Sequence, residues 1–190
     1  MKKMLPASLL VALATLSAGV HAELPANTFG VTLEPLLVDT ERPSGGRSEK
    51  HQPRFGIEYT RTLWQRFDLT LGAGVHQLRI KSGDETDSRG MFDVRAGFRQ
   101  YFGAREVGVW VPFFAASASE AWLRDADSDV GGNRRYTGWS ASVGAAKQVS
   151  ATTDLRLSLG YTRLQARDKL GSHLDVLSTA DLGLAAAIRF

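Results

Sequence analysis

From Ala180 to Phe190 every even-numbered residue is apolar, while the odd positions include Asp181, Gly183 and Arg189. The same two-residue period recurs at Leu155, Leu157, Leu159 and Tyr161, set against Arg156, Ser158, Gly160 and Thr162. It returns at Phe92, Val94, Ala96 and Phe98, and at Leu69, Leu71, Ala73 and Val75. Successive side chains of a strand point to opposite faces, whereas a helix repeats every three to four residues, so these segments predict strands with one apolar face. Eight are predicted, at about 28–38, 54–63, 68–81, 91–102, 107–124, 136–149, 154–167 and 176–190. The fifth resists a face assignment, because Val107, Val109, Val111 and Phe113 alternate with Gly108, Trp110, Pro112 and Phe114. Pro112 lacks a ladder donor and is expected to mark a bulge there.

The connections sort by length. Asp39–Pro53, Ser82–Gly90, Asp125–Arg135 and Asp168–Asp175 are long and polar, while Trp64–Phe67, Gly103–Glu106 and Ser150–Thr153 are tight. Long loops at one rim, short turns at the other and an even strand number are the signature of a membrane barrel. The expected fold is all-β: an eight-stranded antiparallel transmembrane up-and-down β-barrel. Gly72, Gly74, Gly97, Gly144, Gly160 and Gly183 share faces with the charges, which suits a narrow lumen and leaves the apolar faces outward. A soluble ligand barrel would reverse that polarity. Trp64, Phe67, Phe102 and Phe190 near the turns, with Trp139 and Tyr161 towards the loops, are placed to form two aromatic girdles.

Met1–Ala22 changes the charge arithmetic. Lys2-Lys3, the apolar stretch Leu9–Leu16 and the ending Val20-His21-Ala22 have the order of a cleaved secretory signal peptide, leaving 23–190 as a single barrel domain. Of 23 Lys and Arg, 21 then remain against 20 Asp and Glu, so basicity is no sign of nucleic-acid binding. The chain has no Cys, which removes disulfides and lipidation of a thiol. No later apolar run reaches the roughly 20 residues of a spanning helix. Export without a Cys leaves the periplasm, the outer membrane or the medium, and the strand pattern selects the outer membrane of a Gram-negative cell.

Signal peptide, eight period-two strands, alternating loop lengths and a last strand ending in Phe190 together resemble the small outer-membrane barrels of the OmpA and OmpX type. The resemblance covers the mature chain and is architectural. It implies that Leu182, Leu184, Ala186, Ile188 and Phe190 form the signal read by the barrel-insertion machinery. It also implies a monomer surrounded by outer-membrane lipid and lipopolysaccharide. The periplasmic peptidoglycan-binding domain carried by many OmpA-like proteins is not expected here.

The inferred lumen contains Glu34, Glu58, Asp93, Arg95, Arg99, Arg156 and Asp181, with Arg189 towards a rim. Unpaired charges in a narrow interior cost several kcal/mol, so a Glu/Arg plug is expected. The leading functional expectation is a structural or surface-interaction role through the loops, which could meet an external ligand or host surface. A minor low-conductance channel and a lipid A-modifying enzyme are the alternatives. The enzyme would draw on His76, Ser172, His173 and Glu120. Ser172 and His173 are adjacent and reversed relative to the His and Ser of the lipid A deacylase barrels, so no catalytic set is expected. The acidic stretch Asp125–Gly131 has Val130 where a calcium loop needs Gly and Tyr136 where it needs Glu, so no metal site or cofactor is expected. In the first loop Arg42, Arg47, Lys50, His51 and Arg54, and on the outer face Arg163, are candidates for lipopolysaccharide phosphates.

Overall fold

In the computed structural model, residues 27–39, 47–64, 66–82, 85–124, 134–167 and 176–190 are described. The signal peptide, Ser172, His173 and Asp125–Gly131 lie outside them. Nine strand segments form one antiparallel sheet: β1 (Asn27–Asp39), β2 (Arg47–His51), β3 (Arg54–Trp64), β4 (Phe67–Ser82), β5 (Glu85–Tyr101), β6 (Trp110–Leu123), β7 (Arg134–Gln148), β8 (Thr153–Ala166) and β9 (Val176–Arg189). β2 and β3 both pair with β4 and are separated only at Gln52 and Pro53, so they are one wall strand with an interruption. The wall therefore has eight strands. Each is bonded to its sequence neighbour, and β1 pairs with β9 to close the ring. Closure leaves no edge whose N–H and C=O groups lack ladder partners, which is what a strand protein in lipid requires.

The two faces match the expected inversion. Phe55, Val75, Phe92, Val143, Leu159 and Ile188 are exposed on the outside, while Arg54, Asp68, Asp93, Arg99 and Arg156 are buried inside. Such a surface is unfavourable in water and favourable in hydrocarbon. At the turn end the outer aromatics form a chain of contacts from Trp64 to Phe67, Phe98 and Phe114, with ring centroids 5.4, 5.6 and 6.2 Å apart. Towards the loops, Trp139 meets Tyr161 at 5.6 Å and Phe92 stacks on Trp122 at 5.5 Å.

Three local expectations need correction. β6 keeps an unbroken register with β7 from Trp110 to Leu123, so Pro112 marks no bulge; its carbonyl accepts from the Phe102 N–H instead. Register shifts fall instead in β1, between Leu33 and Leu36, where Glu34-Pro35 interrupts pairing with β9, and in β3, between Thr62 and Trp64. Ser82–Gly90 is mostly strand: β4 and β5 continue in register to Ser82 opposite Glu85. Finally, the connection between β5 and β6 is longer than the expected Gly103–Glu106. Within it Val107 bridges to Gln148, and Gly108 takes a left-handed φ of 85°, a conformation that costs glycine least.

Candidate functional site

The lumen is layered, and β5 gives the order. From the loop end its inward residues are Met91, Asp93, Arg95, Gly97, Arg99 and Tyr101: apolar, two ions, a gap, an ion, then apolar again. The first layer joins Met91 to Leu78, Ala121, Leu123, Tyr136, Leu164, Ala166 and Leu177 in a buried apolar cluster. The last joins Tyr101 to Val111, Phe113 and Ala146. Both caps sit inside the barrel, on the face where the middle layers carry charge.

Under the loop-side cap lies a balanced set of two acids and two bases. Arg54 donates to Glu34 from Nη1 at 2.8 Å and to Asp93 from Nε and Nη2, each at 2.8 Å. Arg95 donates to the same two acids at 3.0 and 3.2 Å. The sequence positions these groups through strand register: Glu34 is directly opposite Arg54, and Asp93 is opposite Gly74 on the next strand. Gly74 has no side chain, and a Cβ there would collide with the Arg54 guanidinium. The planar fork of Arg54 can thus bind two carboxylates from different strands.

Below it the composition changes. Glu58 receives Arg99 Nη2 at 2.9 Å and a second arginine, Arg156, from the far side of the barrel. Arg99 also lies over the Phe113 ring at 5.3 Å, so the cap supplies part of its environment. Between the two clusters is a polar chamber of about 130 Å³, lined in part by Thr70, Ser117, Ser140, Ser142, Ser158 and Asp181. Asp181 stands opposite Gly160, with Glu34, Arg95 and Arg54 as interacting charges. Nearer the turns, Asp68 accepts from Tyr101 at 3.0 Å and from Arg105 at 3.1 Å, and Arg189 bonds Asp154 at 3.1 Å.

All seven expected lumen residues lie on the inner face or line this interior. Arg54, assigned above to a loop that could meet lipopolysaccharide, is instead 4% exposed and central to the loop-side cluster. Its missed signal was the alternation of Arg54, Gly56, Glu58, Thr60 and Thr62 along one face of a strand already predicted to begin there. Arg105 was also missed, because it comes from a connection rather than a strand and carries no period. The candidates for catalysis do not converge: His76 is an inward residue at the loop-side cap, whereas Glu120 is outward and bonds Arg135. Among the described residues no group of three His, Cys, Asp or Glu is arranged to hold a metal.

No protein-family model matches the chain, and no curated protein matches it. Solved structures do. Neisserial surface protein A superposes with a TM-score of 0.58 at 12% identity, covering 87% of this chain and 96% of that one. The N-terminal β-barrel domain of Pseudomonas aeruginosa OprF gives 0.54 at 14% identity, covering 86% and 97%. The outer membrane protein OprG of the same organism gives 0.52 at 11%, covering 87% and 96%. At these identities the likeness concerns architecture, and the chain has the fold of the small eight-stranded outer-membrane barrels.

Proposed function

We propose that this protein resides in the bacterial outer membrane as a closed barrel and acts without chemistry, as a structural or surface-interaction protein whose contacts are made by its loop end. The observation that carries the reading is the lumen. Buried apolar clusters near both ends, with two ion-pair clusters between them, support a closed lumen over a through-path for ions or an open cleft for substrate. An apolar constriction resists wetting and opposes ion passage even where charged layers lie beyond it. What remains available to a partner is the rim, where β4 and β5 project as a long hairpin flanked by β2.

Two arms test the proposal. Purified protein in planar bilayers is expected to show no stable conductance steps, and persistent steps would overturn the closed lumen. Cells making the barrel with 40–46 and 125–133 replaced by short Gly-Ser links are expected to lose retention on at least one surface coated with fibronectin, laminin or heparin. Equal retention on all three relative to wild type would defeat the surface role.

A further inference from the structure

Glu58 is a single carboxylate between two arginines. Its Oε1 accepts from Thr60 at 3.1 Å, from Arg99 at 3.0 Å and from Arg156, and its Oε2 accepts from Arg99 at 2.9 Å. Both arginine side chains are more than nine-tenths buried, at 7% and 6% exposed. Arg99 Nε and Nη1 and Arg156 Nε and Nη2 nevertheless have no protein acceptor among the described residues. The acids nearer the turns are engaged elsewhere, Asp68 with Arg105 and Asp154 with Arg189. Asp181 has Glu34, Arg95 and Arg54 as its interacting charges, which places it with the loop-side cluster. The Glu58 layer therefore carries one positive charge in excess, together with buried N–H donors that Glu58 does not use.

Both arginines line the polar chamber of about 130 Å³, whose opposite wall carries Ser117, Ser140, Ser142 and Ser158. Ser117 and Ser140 share one hydrogen bond at 2.6 Å, so whichever hydroxyl accepts keeps its own hydrogen for a third partner. Gly72, Gly160 and Gly183 also line the chamber and add no side chain to it, which leaves width between the guanidiniums and the hydroxyls. A space of that size admits several water-sized particles. Donors on two sides, and an excess positive charge in a weakly polarisable interior, are the requirements of an anion site. We infer that the chamber binds a small monovalent inorganic anion, a halide of the size and charge of chloride, between the Arg99 and Arg156 pair and the serine wall. Charge selects the class. One negative charge balances the excess of the Glu58 layer, whereas a second would face Asp181 across the same chamber and bring a desolvation cost that no cation offsets. The inference adds an internal ligand to the closed lumen and is independent of what the rim contacts.

Two measurements on the full mature barrel test the site. Crystals grown in sodium bromide should show an anomalous bromide peak inside the chamber against Arg99 or Arg156. Bromide at surface positions alone would be an adventitious ion only and would overturn the site. In solution, reversible urea unfolding in lipid vesicles is followed in mixtures of sodium chloride and sodium gluconate at one ionic strength, the bulky gluconate serving as reference. An anion bound by the folded state alone shifts the unfolding equilibrium in proportion to its concentration above Kd, so each tenfold rise in chloride there should favour the folded barrel about tenfold. Arg156→Gln should lose this dependence. Asp181→Asn removes a negative charge from the chamber without touching the arginines, and should keep the dependence with its onset at lower chloride. Wild-type unfolding that is the same in both salts would overturn the proposal, as would a wild-type chloride response in Arg156→Gln. If Arg156→Gln does not fold, Asp181→Asn decides: an onset that stays in place or moves to higher chloride overturns the site.

Discussion

The two ion-pair clusters are built from the same residue types on the same wall, yet they solve the burial of charge differently. Near the loops, Arg54 and Arg95 share Glu34 and Asp93, so charge is balanced and each acid has more than one donor. Nearer the turns, Arg99 and Arg156 converge on Glu58 alone. There Arg99 Nε and Nη1 and Arg156 Nε and Nη2 are buried without a protein acceptor among the described residues. The first cluster is redundant and the second depends on one carboxylate. Removing one partner of a buried pair costs about 3–5 kcal/mol because the other charge is stranded, so the two should respond unequally to the same kind of cut.

The largest effect is expected from Glu58→Ala, which leaves two buried guanidiniums facing each other. Urea unfolding in lipid vesicles should show a loss near the upper end of that range, about 4–5 kcal/mol. Arg54→Ala leaves Glu34 and Asp93 with Arg95, so a smaller loss of about 3 kcal/mol is expected by the same assay. If Arg54→Ala proves the more damaging, redundancy is not what distinguishes the clusters. Gly74→Ala should cost about 1–3 kcal/mol by crowding the Arg54 guanidinium, and almost nothing once Arg54 is alanine. A double-mutant cycle with no coupling would show that Gly74 is small for another reason. The smallest effect is a null: neither Glu58→Ala nor Arg54→Ala should open conductance in planar bilayers, because Leu78 and Tyr136 at one end and Val111 and Phe113 at the other stay buried. Stepwise currents in either variant would make the ion pairs, rather than the apolar caps, the closure.

The same contrast explains what the sequence could convey. Charges and glycines on one face of each strand disclosed the barrel's polarity, because a middle layer filled by Glu58, Arg99 and Arg156 produces a sharp period-two signal. The caps erase it. Val111 and Phe113 face inward while Trp110 and Phe114 face outward, so β6 reads as apolar on both sides although its register is regular. Arg54 was obscured by its neighbourhood: Pro53 and a run of basic residues before it look like loop, and its two acids are distant in sequence. Strand-to-strand register, set partly by the Glu34-Pro35 irregularity, is what brings them together. Periodicity within one segment carries no information about that offset.

The irregularity at Glu34-Pro35 has a further consequence because of the seam on which it lies. Every other pairing in the wall joins sequence neighbours and can zip from a local connection, but β1 meets β9 across nearly the whole chain, with Thr28 opposite Arg189 and Asn27 bonded to Phe190. Contacts of such separation form slowly, since the loop-closure entropy precedes any reward from the bonds. A sheet able to close in several registers would make that step error-prone. With two residues of β1, Glu34 and Pro35, answering the single Gly183 of β9, a slipped closure would misplace the irregularity and separate Glu34 from the arginines waiting on β3 and β5. The kink thus acts as a key for the final annealing step: the last strands to meet can lock in one alignment, and the loop-side ion cluster forms only when they do.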